Sequence, residues 1–162
     1  RSALPPPPDR KGLTLMETNN VLTPEMVRIH PGSATREEAM REATDLLVAA
    51  GAVTPAYYDA MQDRERTVST FMGNGLAIPH GTNDAKDTVL GSALTFVRYD
   101  GGVDWNGQPA TFVVGIAGKG GEHLEILSQI AILFSDDAEV EKLRAAATPE
   151  QLFSLIAAAG AA

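Results

Sequence analysis

Two stretches of this chain, residues 88–98 and 111–117, are apolar on both faces of an extended backbone. In the first, Val89, Ala93 and Val97 fall on one side and Leu90, Leu94 and Phe96 on the other. The run Thr111-Phe112-Val113-Val114-Gly115-Ile116-Ala117 behaves the same way. A strand with two apolar faces must be covered on both, so helices are needed above and below a sheet. The flanking segments supply them. Thr35 and Glu38 have capping-box spacing. Ala39, Ala43, Leu46, Leu47 and Ala50 then recur with helical period until Gly51 stops the run. Thr54-Pro55 reads as the N-cap and first residue of a second helix, with Tyr57, Met61 and Arg64 on one face. A third helix is expected over about 122–134, with Leu124, Leu127, Ala131 and Phe134 as its core face. A fourth is expected over about 137–147, and a fifth is capped by Thr148-Pro149-Glu150-Gln151. Asp100-Gly101-Gly102 and Asn106-Gly107 are turn signals that favour close antiparallel connections. The predicted fold is α/β, three layers α/β/α, with a mixed sheet flanked by helices.

The 162 residues suit one domain with a real core. Pro5-Pro6-Pro7-Pro8 followed by Asp9-Arg10-Lys11 marks residues 1–15 as a proline-rich flexible prefix or linker, leaving 16–162 as the domain. Thirteen basic against 21 acidic residues, a net charge of −8, argue against nucleic acid and against an anionic membrane surface as partners. Cysteine is absent, so any thiol step belongs to a partner. No apolar stretch reaches membrane-spanning length and no signal-peptide core is visible, so a cytoplasmic protein without direct membrane insertion is expected.

Chemistry concentrates at three residues. His80 lies in Gly75-Leu76-Ala77-Ile78-Pro79-His80-Gly81. Proline fixes its own φ and extends the residue before it, and glycine permits a sharp turn or a close backbone approach. An imidazole held between them is rigid and presented, as a nucleophile requires. Read alone, the pattern also describes a histidine that ends a strand and satisfies local hydrogen bonds. His123 follows Gly118-Lys119-Gly120-Gly121 at the start of the third helix, where exposed backbone N–H groups favour an anion. A capping or partly buried core histidine fits that position equally well. Arg64 shares a helix face with two apolar residues; an arginine covering the last carbonyls of its helix is the other reading, and Arg66 competes for any role. Together, two imidazoles and a guanidinium suit a phosphoryl group, which carries roughly −1.5 to −2 charges and needs several donors. His30 precedes Pro31-Gly32 in an expected loop, with nothing to recommend it.

The motifs Asp63-Arg64-Glu65-Arg66, Gly75 through Lys86, Gly115-Ile116-Ala117-Gly118-Lys119 and Glu122-His123-Leu124-Glu125-Ile126-Leu127 occur in this order. Over roughly residues 16–158 the chain resembles the IIA domains of the bacterial phosphoenolpyruvate-dependent sugar phosphotransferase system. Within the mannitol/fructose class it looks nearest to the mannitol-specific branch. The resemblance implies a five-stranded mixed sheet and a phosphotransferase with a covalent phosphohistidine intermediate. His80 would take phosphate on Nε2 from the carrier protein HPr, which holds it on Nδ1. The phosphate would then pass to a cysteine of a IIB domain and, through the membrane IIC permease, to the sugar. His123 would be the accessory histidine and Arg64 the phosphoryl-stabilising arginine. No cofactor and no metal is implied. Gly120-Gly121 stands where relatives carry asparagines, so a more flexible loop is expected there, and Arg66 stands where lysine is commoner. Three other readings compete. One is a nitrogen-type regulatory IIA protein; another is a metal-dependent hydrolase using His80, His123 and Glu122, which lacks a ligand-spaced third group; the third is an inert binding module, against which the concentration of motifs at one site argues.

Overall fold

In a computed structural model of the chain, residues 22–82, 87–119 and 122–159 are described, without the side chains of His123 and Ala159. The proline-rich prefix, Gly120-Gly121 and the Asn83 to Lys86 part of the His80 motif lie outside the described residues. The strands are β1 (Val27–His30), β2 (Phe71–Gly73), β3 (Leu76–Ala77), β4 (Ala93–Leu94), β5 (Phe96–Trp105), β6 (Gln108–Val113) and β7 (Ile116–Ala117). The helices are α1 (Arg36–Ala49), α2 (Tyr57–Thr67), α3 (Glu122–Phe134), α4 (Asp137–Ala145) and α5 (Pro149–Ala159). Five strands form one mixed sheet in the order β1-β5-β6-β3-β2, and β4 pairs with β7 in a separate antiparallel ribbon. Within the sheet, β1 is parallel to β5, β5 antiparallel to β6, β6 parallel to β3, and β3 antiparallel to β2.

Adjacent residues of β5 show the two covered faces. Phe96 stacks on Phe134 of α3 at 6.0 Å, and Arg98 donates from Nη1 to the Leu143 carbonyl of α4 at 2.8 Å. Tyr99, pointing the other way, donates to Glu42 of α1 at 2.5 Å. The expected α/β/α layering is therefore present. Gly115 shows how closely α1 approaches: a Cβ there would lie 2.7 Å from the Ala43 Cβ.

Local signals are mostly honoured. Thr35 and Glu38 form the capping box reciprocally. Gly51, at φ +78°, ends α1, with Ala52 N–H reaching Leu47 O and Gly51 N–H reaching Val48 O, the paired bonds of a Schellman motif. Asn106 and Gly107, both at positive φ, make the two-residue turn between β5 and β6. Thr148 Oγ1 accepts from Gln151 N–H at the start of α5.

Five expectations are corrected. First, α2 starts at Tyr57, because Thr54 is pinned by its N–H to Thr88 O and turns the chain through its own carbonyl, which accepts from Tyr57 N–H. Second, residues 88–98 are not one strand. Val89 makes a lone bridge to Val53, Leu90 and Gly91 both donate to Ala52 O, and β4 and β5 follow. Similarly, 111–117 is divided between β6 and β7. Third, Asp100-Gly101-Gly102 is no turn; β5 runs through it with a register shift between Arg98 and Val103, as a bulge allows. Fourth, the core face of α3 is Ile126, Ile130, Leu133 and Phe134, whereas Leu124 is 61% exposed. Fifth, His30 ends β1 rather than lying in a loop.

His30 has a partner in the fold. Its Nε2 lies 2.7 Å from Glu42 Oε2, which also accepts from Arg28 Nη1 at 3.1 Å, while Oε1 accepts from Tyr99. Burial pushes the Glu42 carboxyl up, but the bonds from Tyr99, His30 and Arg28 outweigh it and hold it below its usual 4.5. The unfolded chain therefore takes up the proton first. The stabilisation is present above pH 4.5 and is lost as pH falls through the lower folded-state value. Glu42→Gln is expected to cost about 1–2 kcal/mol at pH 7. Thermal melts of variant and parent converge as pH falls from 4.5 through the lower folded-state value.

Candidate functional site

β3 is two residues long and both are buried. It starts after a turn of three consecutive positive-φ residues, Gly73, Asn74 and Gly75, which returns the chain from β2. Ala77 O accepts from Val114 N–H at 2.9 Å and Pro79 O from Ile116 N–H at 3.1 Å. Pairing with the β6–β7 segment thus continues past the end of β3 and closes in a bridge between His80 and Ile116. His80 sits where the strand leaves the sheet, partly exposed, as the Pro-His-Gly pattern anticipates.

The imidazole is oriented by its own chain. His80 Nδ1 is 2.7 Å from Ile78 O. A carbonyl oxygen can only accept, so Nδ1 carries the hydrogen and, in the neutral ring, the lone pair is on Nε2.

Arg64 lies in the last turn of α2, with Nη1 donating to Val68 O at 2.8 Å. This is the helix-end contact of the alternative reading. Arg64 stands seven residues after Tyr57, about 10 Å along the same helix face. Arg66 pairs instead with Asp63. The buried residue of this turn is Glu65, 4% exposed. Its Oε2 accepts from Thr70 N–H at 2.9 Å and Trp105 Nε1 at 2.7 Å, and its Oε1 from Thr70 Oγ1 at 2.6 Å.

The backbone of His123 lies in the first turn of α3. β7, which carries the Ile116 partner of His80, leads to it through residues 118–121, so both histidines follow the same end of the paired strands. Ser92 ties this entry together: its Oγ donates to Glu122 Oε1 and accepts from Lys119 N–H at 3.0 Å. Among the described residues no three histidines or acidic groups are gathered as metal ligands, and no helix is long and apolar enough to cross a membrane.

Three supporting groups escape a reading of the sequence. Tyr57 is legible as an apolar-face residue whose hydroxyl must find a partner when buried, but not which partner. Glu65 has a faint signal, four residues after Met61 on the buried stripe. Ser92 has none, because its partners lie 27 and 30 residues away.

Residues 20–159 match the family model described as phosphoenolpyruvate-dependent sugar phosphotransferase system, EIIA 2. The chain belongs to that family. It is 53% identical over 118 residues to the mannitol-specific phosphotransferase enzyme IIA component of Staphylococcus aureus, covering 73% of this chain and 82% of that protein. It is 42% identical over 139 residues to the component of the same name in Halalkalibacterium halodurans, covering 86% and 96%. Among solved structures, a complex of mannitol IIA with phosphorylated mannitol IIB from Escherichia coli superposes with a TM-score of 0.74 at 34% identity. That match covers 82% of this chain and 94% of the other.

Proposed function

We propose that this chain is the phosphocarrier of a mannitol-uptake system, working in the cytoplasm and built from residues 16–162, with His80 as the phosphorylated residue. The single observation that carries the reading is the Ile78 carbonyl on His80 Nδ1, which leaves the lone pair on Nε2 at a partly exposed strand end. The lone pair attacks the phosphorus of phospho-HPr in line. The Nε2–P bond forms as the donor's N–P bond breaks, and the proton stays on Nδ1, hydrogen-bonded to Ile78 O. The protein contributes position and charge rather than covalent machinery of its own. Arg64 turns its guanidinium from Val68 O to the phosphoryl oxygens, and His123 assists at the start of α3. The thiolate of a IIB domain then attacks the same phosphorus, the S–P bond forming as the His80 Nε2–P bond breaks, and the phosphate passes from that cysteine to the sugar entering through the IIC permease. The mannitol assignment follows the Staphylococcus and Halalkalibacterium relatives, which are named for mannitol.

The test is a relay in vitro. The chain is labelled with radioactive phosphoenolpyruvate, Enzyme I and HPr, then mixed with IIB domains for mannitol and for fructose. Label is expected to reach the chain and move at least tenfold faster to mannitol IIB. Label that is accepted but moves to neither IIB supports the nitrogen-type regulatory reading instead. Equal transfer to both removes the mannitol assignment.

A further inference from the structure

Tyr57 is the first residue of α2 and is 4% exposed. Its hydroxyl makes two hydrogen bonds: it accepts from Gly81 N–H at 2.8 Å and donates to Ile116 O at 2.7 Å. These two backbone groups are the ones that a regular parallel ladder joins directly beyond a bridged pair such as His80 and Ile116. The other half of that bridge is an ordinary ladder bond, from Ile116 N–H to Pro79 O at 3.1 Å. His80 is thus flanked by a backbone bond on its Pro79 side and by a tyrosine hydroxyl on its Gly81 side. The ring also leaves no room for a side chain at 81. A Cβ on Gly81 would lie 2.6 Å from Tyr57 Cε1 and 3.3 Å from the Ala60 Cβ. The glycine next to the histidine therefore serves close packing of α2 on the strand end. Burial pushes the Tyr57 hydroxyl up to about 12, so it keeps its proton at neutral pH and remains able to donate to Ile116 O.

We infer that the Tyr57 hydroxyl is a positioning group for the phosphoryl-transfer reaction, clamping Gly81 to Ile116 so that the His80 ring keeps Nδ1 on Ile78 O and directs Nε2 at the incoming phosphorus. The inference rests on His80 being the phosphorylated residue. Its structural half, control of the His80 ring by Tyr57, does not depend on phosphate. The role also accounts for why an aromatic with a hydroxyl, rather than phenylalanine, opens this helix. The ring alone would fill the volume against Gly81 but would leave a part-buried donor and a buried acceptor without the hydroxyl between them.

Tyr57→Phe in the whole chain tests it with two readouts. Nitrogen NMR of the unphosphorylated protein reports the His80 tautomer. The parent is expected to show a single species protonated on Nδ1, and the variant a mixture of tautomers. Phosphoryl acceptance from phospho-HPr should fall ten- to a hundredfold at saturating donor, because small misplacements of a reacting atom are costly. Its KM should stay within twofold. If Tyr57→Phe does not fold, Gly81→Ala, which displaces the same ring while leaving its hydroxyl, is read in the same way. An unchanged His80 nitrogen spectrum in the folded variant overturns the proposal, whether the transfer rate falls or not, since a slower rate would then reflect general loosening. Label mapping to a residue other than His80 overturns the site assignment, while a changed tautomer in that case would leave the clamp itself standing.

Discussion

His80→Ala is expected to accept no phosphate at all. No other side chain in the described site offers a ring nitrogen whose direction is fixed by a backbone carbonyl. Removing the ring deletes the atom that forms the new bond, so the loss is complete rather than graded. The backbone should barely notice, because the bonds that hold this segment, Ile116 N–H to Pro79 O and Gly81 N–H to Tyr57, do not involve the imidazole. The variant should therefore melt within a few degrees of the parent while incorporating no label from phosphoenolpyruvate, Enzyme I and HPr. Continued stoichiometric labelling would move the site elsewhere, and His123 would be the first residue to map.

The second large effect is on stability. Glu65→Ala should cost about 3–5 kcal/mol, since it strips a carboxylate from two buried donors, Thr70 N–H and Trp105 Nε1–H, and opens a void. For a chain of this size that is a drop in Tm on the order of 10 °C. The carboxylate joins three separate pieces: the end of α2, the segment entering β2 and the end of β5. Its loss should loosen the last turn of α2, where Arg64 sits. Glu65→Gln keeps one acceptor oxygen and should recover part of the loss. Thermal melts of the two variants check this, and an alanine variant that melts with the parent removes the keystone role of Glu65.

The contrast between these residues shows what was legible in the sequence. The His80 setting is local: proline, histidine and glycine act within three residues, so position and presentation follow from chain geometry alone. The capping box of α1, its glycine stop and the Asn106-Gly107 turn are legible for the same reason. Glu65 is not, because a charged residue between Arg64 and Arg66 looks like part of a solvated face until Trp105, 40 positions later, is brought to it. Periodicity also misplaced the face of α3. Leu124 fits a helical stripe, but the Phe96, Phe112 and Phe134 rings, 5.2 to 6.0 Å apart, set the helix rotation so that Ile126 and Ile130 face inward. The Asp100-Gly101-Gly102 run failed differently. A bulge and a turn need the same residues, and only the continued pairing of Val103 with Ala110 distinguishes them.

The turn before β3 has one more bearing on how the protein works. Asn74 Nδ2 donates to Phe134 O, the last carbonyl of α3, at 2.7 Å, and Arg144 of α4 donates to Asn74 O at 3.1 Å. The helix that begins beside His123 is thus fastened at its far end to the loop that starts the His80 strand. At its near end it is fastened through β7 to the same strand. The end of α3 and the start of the His80 strand therefore hold a fixed position relative to one another. For the phosphoryl site proposed above, part of the positional freedom of the His80 strand is thereby given up when the chain folds. Each passing carrier protein then meets the same rigid gauge, and the motion of exchange is left to side chains and to the partners themselves.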